Sequence, residues 1–170
     1  MQFSIRSALS LFTILSASVM ADDSTLENIG LYVESDNTQL NGNGLSTLHS
    51  GAGIDYFFLG PSAESLIFDS SKAQIYKTFA GQYKQYFDAA TSNYVQMTVS
   101  EAHIADIQFT KVDGGKQYLN LNSSPDGFYA CKDVNDPYNY SASYYELMYY
   151  ADGNADNESC VAVKVYAEVN

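Results

Sequence analysis

Short runs rich in aromatic and β-branched residues recur along the chain, and Gly, Asn, Asp and Ser residues separate them at fairly even spacing. The runs lie at residues 54–60, 65–69, 73–79, 93–100, 105–111, 117–122, 127–133, 144–150 and 160–169. Several alternate polar and apolar residues, which is the period of a strand with one buried face. Many short strands of this kind predict a single all-β domain, built as a barrel or a sandwich.

A loose internal repeat bears on how these strands are arranged. Three units end in "YFFLG" near residue 58, "YVQMTVS" near residue 97 and "YYELMYY" near residue 147. This repeat favours a β-trefoil-like fold, with a β-sandwich as the alternative. The segment "GQYKQYFDAA" at residues 81–90 fits either a helical turn or another strand, and the sequence leaves both open.

The first 21 residues differ from the rest of the chain. A weakly basic start is followed by the apolar stretch "ALSLFTIL", which is too short to span a bilayer, and by small residues of the kind that a signal peptidase prefers. We therefore interpret residues 1–21 as a secretory signal peptide and residues 22–170 as one all-β domain. No second hydrophobic segment follows, so we expect no membrane span.

The charge balance excludes several classes of partner. Arg6 is the single arginine, so without residues 1–21 the chain has seven lysines against 20 acidic residues, and 7 − 20 gives a net charge of −13. Phosphate contacts need basic groups, which argues against nucleic acid and against anionic membrane surfaces. The acidity instead suits a secreted protein that must stay soluble.

The two cysteines, Cys131 and Cys160, predict a disulfide in an oxidising secretory environment. On the loop-entropy model, closing a loop of about 30 residues stabilises the fold by roughly 3–4 kcal/mol. A structural zinc would need four ligands, and the two histidines lie far from both cysteines in the sequence. We therefore expect no metal and no cofactor.

The stretch "GLSTLHSGAGIDYFFLG" at residues 44–60 combines His49, Ser50 and Asp55 with closely spaced glycines. It lacks the G-x-S-x-G nucleophile elbow, and no lysine follows the glycines as in a phosphate-binding loop. Glycines at positions 51 and 53 permit positive φ in a tight turn. We therefore interpret the stretch as a turn that leads into a core strand, and we assign no catalytic residue.

Two further acidic segments carry weak chemical signals. His103 lies between Glu101 and Asp106, which we interpret as a polar turn rather than an acid–base pair. Residues 152–156 place Asp or Asn at alternate positions, as a calcium loop does, but Asn157 and Val163 occupy the positions that require glycine and a bidentate glutamate. Both segments are predicted to be solvated turns.

Three sequons lie in the last third of the chain: Asn122-Ser123-Ser124, Asn139-Tyr140-Ser141 and Asn157-Glu158-Ser159. All three match N-x-[ST] without proline at the middle position. In a secreted chain they predict N-glycosylation at Asn122, Asn139 and Asn157, and they predict that this side of the domain is exposed.

The segments "LHSGAGIDYFFLG", "GFYACKDVNDPYNYSASYYELMYY" and "SCVAVKVYAE" resemble the N-terminal module of ascomycete yeast cell-wall mannoproteins, the group of hyphally down-regulated and predicted GPI-anchored wall proteins. The resemblance covers most of the chain from about residue 28 onward. A more distant likeness to the filamentous-fungal wall protein PhiA rests on the "GF-x-AC" pattern and the later "SC" pair.

The resemblance implies a secreted, glycosylated, non-enzymatic protein of the cell wall or its surroundings. Many relatives continue into a Ser/Thr-rich stalk and a GPI-attachment tail, whereas this sequence shows no GPI signal after "VYAEVN". Two other functions stay open. One is a lectin-like module that binds β-glucan or mannan through Tyr138 and Tyr140, and the other is a wall-polysaccharide hydrolase with two opposed carboxylates.

Overall fold

The computed structural model describes residues 25–79, 81–90, 92–100, 107–112 and 114–170. The predicted signal peptide at residues 1–21 and the predicted polar turn around His103 lie outside the described residues. Within them the structure has twelve β-strands and one short 3-10 helix at Tyr140–Ala142. The all-β prediction is therefore confirmed.

The strands follow one another at short intervals along the chain. Their bounds are β1 (Leu26–Glu34), β2 (Gly44–Gly51), β3 (Ile54–Gly60), β4 (Leu66–Asp69), β5 (Gln74–Phe79), β6 (Tyr83–Asp88), β7 (Gln96–Thr98), β8 (Ile107–Lys111), β9 (Gln117–Leu121), β10 (Phe128–Cys131), β11 (Glu146–Tyr149) and β12 (Val161–Val169).

The twelve strands belong to one antiparallel sheet that closes on itself. Following hydrogen-bonded neighbours from β1 leads through β4, β5, β6, β7, β3, β11, β10 and β12, and β12 then pairs with β1. In addition, β2 pairs with both β1 and β3, and the β8–β9 hairpin extends from β12. Closure leaves the nine strands of the ring without a free edge, whereas β8 pairs only with β9 among the described strands.

The trefoil prediction was more detailed than the structure supports. The hairpins β2–β3, β6–β7 and β10–β11 do recur every four strands, and β3 pairs with one strand of each of the other two. The remaining pairings differ, because β12 pairs with β1, β9 and β10, while the pairings of β4 among the described residues are with β1 and β5 only. The fold is a closed barrel with extra strands, and a three-fold repeat is not confirmed.

Alternating side chains of the strands form the core. On β1, Leu31 and Val33 are buried while Tyr32 and Glu34 point outward, and the ring of Phe57 on β3 contacts that of Phe87 on β6 at a centroid distance of 5.7 Å. The segment at residues 81–90 contains a strand, β6, which pairs with β5 and β7 and carries the buried Phe87.

Two glycines make the β2–β3 hairpin possible. Gly53 in the turn has a φ of +74°, a conformation that residues with a Cβ rarely adopt. At the start of β2, a Cβ on Gly44 would lie 2.2 Å from the backbone nitrogen of Ala63. The prediction of a glycine turn before a core strand is confirmed, but residues 44–51 are themselves a strand, which the sequence reading placed in the turn.

Candidate functional site

The loop between β10 and β11 places Tyr138 and Tyr140 side by side at the surface. Their rings stack with centroids 5.7 Å apart, and Tyr138 is 54% exposed. His49 of β2 lies beside Tyr138, with 6.2 Å between the ring centroids. We call Tyr138, Tyr140 and His49 the tyrosine shelf. It brings together two residues predicted to bind glycans and one from the "LHSGAG" stretch, and it presents aromatic faces with polar edges.

A buried carboxylate holds in place the loop between β10 and β11, which we call the shelf loop. Asp136 accepts hydrogen bonds from the backbone N–H groups of Tyr140 and Ser141, both at 2.8 Å, and from the hydroxyl of Ser141 at 2.5 Å. Burial by itself raises the pKa of Asp136, but these hydrogen bonds outweigh it, so the pKa is lowered from its ordinary value. Asp136 therefore remains an anion that fixes the 3-10 turn beneath the shelf.

Glu146 at the start of β11 is fully buried close to this loop. Both of its carboxylate oxygens lack a hydrogen-bond partner in the structure. Desolvation, and secondarily the negative charge of Asp136, raises the pKa of Glu146 to about 8. Across the β3–β11 pairing it faces Phe58, whose ring contacts Tyr140 edge-on. A neutral acid thus lies behind the shelf at neutral pH.

Two tyrosines share this acidic environment. Tyr56 and Tyr94 stack with centroids 4.6 Å apart, and the hydroxyl of Tyr94 donates to the carbonyl of Val134 at 2.7 Å. Burial, and then the charge of Glu146, raises the pKa of both phenols. The pair therefore stays protonated and anchors the start of the shelf loop.

His49 and Asp55 do meet, but in a structural charge cluster. The two residues face each other in the β2–β3 hairpin, and His49 Nδ1 lies 3.3 Å from Asp55 Oδ1. The other carboxylate oxygen of Asp55 contacts Lys77 Nζ at 3.0 Å, and Lys77 also contacts Glu64 at 3.0 Å. Ser50 instead donates its hydroxyl hydrogen to the carbonyl of Leu48. The histidine therefore has a carboxylate partner, and the nearby serine is not directed toward it.

Two of the predicted glycosylation sites lie on exposed turns. Asn122 and Asn139 are both exposed, and both adopt positive φ, of 52° and 56° respectively. The side chain of Asn122 approaches the hydroxyl of Tyr149 at 3.3 Å. Asn139 is the residue between the two shelf tyrosines, so a glycan at this position and a ligand on the shelf would occupy neighbouring space.

The third predicted site is built into the fold. Asn157 Nδ2 donates to the carbonyl of Lys132 at 3.0 Å, and the hydroxyl of Ser159 donates to the same carbonyl at 2.6 Å. The backbone N–H of Lys132 in turn donates to Ser159 Oγ at 2.9 Å, and that of Ser159 to Asn157 Oδ1 at 2.8 Å. We call these three residues the Lys132 clamp. It connects the residue after Cys131 to the residue before Cys160.

The two cysteines adjoin this clamp and form the predicted disulfide. Cys131 is fully buried at the end of β10, and Cys160 immediately precedes β12. The disulfide and the clamp therefore tie together the same two segments at one end of the β10–β12 pair.

A groove with a volume of about 700 Å³ lies beside the ends of β1 and β10. Its polar walls include Glu34, Asp36, Asp126 and Lys164, and Tyr129 also lines it. Glu34 is held by Lys116 and by the hydroxyl of Tyr118, which together lower its pKa. This groove was not predicted from the sequence, because residues far apart in the chain line it.

Within the described residues no group of three or more His, Cys, Asp or Glu side chains is arranged to hold a metal ion. In the segment that resembles the start of a calcium loop, Asp152 Oδ1 accepts the backbone N–H of Asn154, as in a solvated turn. No helix among the described residues is long and apolar enough to cross a bilayer.

Asp136 and Glu146, the two buried acids behind the shelf, were not predicted from the sequence either. In a chain with 20 acidic residues, their sequence neighbours do not distinguish them. The one usable signal for Glu146 was its place in the apolar run "YYELMYY", where a charge is unexpected.

Comparison with known proteins places the chain among fungal relatives. Residues 28–169 match the family model described as "Domain of unknown function (DUF7907)". The chain is 34% identical over 144 residues to cell wall protein RHD3 of Candida albicans, covering 78% of this chain and 62% of that protein.

Two further relatives from the same organism are similar over most of the chain. Cell wall protein PGA31 is 31% identical over 154 residues, covering 86% of this chain and 48% of the relative. Cell wall protein PGA30 is 28% identical over 142 residues, covering 81% and 49%. The chain thus spans less than two thirds of the length of each of these relatives. No solved structure gives a significant match.

Proposed function

Because the chain belongs to the DUF7907 family and to the yeast cell-wall mannoproteins, we propose that it is a secreted, N-glycosylated, non-enzymatic protein of the fungal cell wall. The observation that carries the proposal is the exposure of Asn122 and Asn139 on turns at the surface. Surface loops of this kind are the usual positions of N-linked glycans.

The charge of the domain supports a role at a hydrated surface. With 20 acidic residues and eight basic ones in the full sequence, the protein repels copies of itself and holds water and counter-ions around it. Glycans on the exposed turns would extend this hydrated layer. In this role the protein covers the wall polysaccharide and does not modify it.

Cell fractionation combined with deglycosylation tests this proposal. We expect the protein in the culture medium, in the salt-extractable wall pool or in the glucanase-released wall pool, with a mass that falls after endoglycosidase treatment. An unglycosylated protein that remains inside the cell would contradict it. Turnover of wall polysaccharide by the purified domain, abolished by substituting a carboxylate, would contradict the non-enzymatic part.

The tyrosine shelf supports a second candidate function, the binding of β-glucan or mannan. Tyr138 is more than half exposed and is held rigidly by its stacking on Tyr140. Because the loop is fixed by Asp136 before any ligand arrives, little side-chain entropy would be lost on binding. Aromatic faces with hydroxyl edges suit the apolar face and the hydroxyls of a hexose.

A glycan pull-down tests the shelf if the Asn139 glycan is first excluded. We therefore choose the Asn139→Asp background, because Asp, like Asn, tolerates positive φ and carries no N-glycan. Binding that Tyr138→Ala abolishes supports the lectin-like function. Tyr144→Ala is the matched control, because Tyr144 lies in the same loop and is 53% exposed. Equal binding by both variants would place any polysaccharide contact elsewhere.

A further inference from the structure

In the Lys132 clamp, the polar groups of the Asn157 sequon that glycosylation requires are engaged in hydrogen bonds. Asn157 Nδ2 is the atom that would carry the glycan, and it donates to the Lys132 carbonyl at 3.0 Å. The hydroxyl of Ser159, which defines the sequon, donates to the same carbonyl and accepts the Lys132 N–H. Asn157 Oδ1 is engaged by the backbone N–H of Ser159. All three polar groups of the sequon therefore have partners in the folded chain.

The disulfide lies directly beside this arrangement. Cys131 precedes Lys132 and Cys160 follows Ser159, so the clamp and the disulfide bring the same two segments together. When the disulfide is formed, its short covalent link holds Lys132 against Asn157 and Ser159. When the cysteines are thiols, only the hydrogen bonds of the clamp and the neighbouring β10–β12 pairing oppose separation of the two segments.

We propose that Asn157 is glycosylated only on chains whose Cys131 and Cys160 are still thiols, and that formation of the disulfide closes this site. The inference rests on the proposed function, because it assumes that the chain passes through the N-glycosylation machinery. It makes Asn157 a redox-gated modification site for an N-linked oligosaccharide, unlike Asn122, which stays exposed on its turn.

The two competing reactions have defined stoichiometry. In glycosylation, Asn157 Nδ2 loses one hydrogen and bonds to the anomeric carbon of a lipid-pyrophosphate-linked oligosaccharide, whose bond to the phosphate oxygen breaks as the lipid pyrophosphate leaves with the proton. In closure, two thiols lose two protons and two electrons to a disulfide-bearing oxidant, which becomes a dithiol, and the sulfur–sulfur bond forms. A glycan on Asn157 Nδ2 replaces one of the two hydrogens of this nitrogen. The bulk of the glycan also lies between the segment that contains Cys131 and the segment that contains Cys160, which must approach each other before the disulfide can form.

Trypsin digestion places Asn122 and Asn157 on different peptides, each of which contains one of the two cysteines. Cleavage after Lys116, Lys132 and Lys164 yields one peptide of residues 117–132, which contains Asn122 and Cys131, and one of residues 133–164, which contains Asn139, Asn157 and Cys160. Fragmentation of the second peptide in the mass spectrometer assigns the mark to Asn157 or to Asn139. Free thiols of the secretory-pathway protein are alkylated with one reagent under denaturing, non-reducing conditions, because Cys131 is fully buried in the folded protein. After reduction, the cysteines released from disulfides are alkylated with a second reagent. Enzymatic deglycosylation in isotopically heavy water then marks each asparagine that carried a glycan.

We expect the Asn157 mark to be at least about fivefold more frequent on peptides whose Cys160 was a free thiol, the factor that corresponds to losing one neutral hydrogen bond. The Asn122 mark should be independent of the state of Cys131, which makes that peptide the internal control. Adding a reductant during synthesis should raise the Asn157 mark. Cys131→Ser should do the same, since it prevents the disulfide and leaves the sequence Asn157-Glu158-Ser159-Cys160 intact.

Each of the other outcomes overturns the proposal. Equal marking of Asn157 on oxidised and reduced chains would show that the disulfide does not close the site. An Asn157 that stays unmarked with reductant and in Cys131→Ser, while Asn122 or Asn139 is marked, would show that the site is not used. If all three asparagines are unmarked, the proposed N-glycosylation itself fails.

Discussion

Replacing Glu146 by glutamine should change how the stability of the protein depends on pH. The pKa of Glu146 rises from an ordinary 4.5 to about 8, because the carboxyl is desolvated and lies near Asp136. The folded state therefore binds this proton more tightly than the unfolded state does. The contribution of the neutral acid to stability is complete below pH 4.5 and is lost progressively as the pH rises toward 8.

The size of this effect on the free energy of unfolding follows from the difference between the pKa values of Glu146 in the folded and unfolded states. At about 1.4 kcal/mol for each pH unit between them, ionising Glu146 in the folded state costs about 5 kcal/mol. This is of the order of the whole stability of a small domain. Wild-type protein should therefore lose about this much stability between pH 4.5 and pH 8.

Urea denaturation at a series of pH values from 4 to 9 measures this directly. Glu146→Gln has nearly the same shape as the neutral acid, so at pH 4 its free energy of unfolding should be within about 1 kcal/mol of wild type. At pH 8 the variant should be more stable than wild type by several kcal/mol. Glu27→Gln is the control, because Glu27 is exposed, and its curve should follow wild type.

The difference between the two proteins isolates Glu146 from the general effect of the other acidic residues. Parallel curves for wild type and Glu146→Gln across the whole range would contradict a raised pKa of Glu146. They would mean that the carboxyl is hydrated or has a partner in solution.

Three further predictions concern the packing, and each is measured by urea denaturation. Phe57→Ala should cost about 3–5 kcal/mol because the ring is fully buried, whereas Phe79→Ala, at a position 53% exposed, should change stability by less than about 0.5 kcal/mol. Gly44→Ala should cost more than about 3 kcal/mol, since its Cβ would meet backbone 2.2 Å away, while Gly60→Ala, with no atom within 4 Å, should be nearly neutral. Lys77→Met should cost about 2 kcal/mol by leaving two partly buried carboxylates without their cation. Equal effects within either matched pair, or a neutral Lys77→Met, would contradict the corresponding contacts.

Local pattern was sufficient to predict the class of fold and several strands. The runs at residues 54–60 and 160–169 show strand composition and spacing in the sequence, and they are β3 and β12. The run around β1 was missed because "LENIGLYVE" mixes charged residues and a glycine with its apolar ones. The closed order of strands was not predictable, because it depends on pairings such as that of β1 with β12, which join the two ends of the domain.

In the candidate site, too, some features could be predicted from local sequence and others depend on residues distant in the chain. Tyr138, Tyr140 and the sequons were visible as residue types in a turn-rich segment. Their contact with His49, about 90 residues earlier, arises only when the shelf loop lies against the β2–β3 hairpin. Nothing in the three sequons as motifs separates Asn157 from Asn122, since the difference lies in the hydrogen bonds to Lys132.

An all-β, acidic, disulfide-bonded domain could be predicted from the sequence alone, because alternation, charge and cysteine count are properties of residues near one another or of the chain as a whole. Tertiary structure decided which polar groups are buried and which are free. Burial and hydrogen-bond partners come from residues distant in the chain, so Glu146 becomes a neutral acid, Asp136 an anchored anion and Asn157 part of a clamp only after the barrel closes.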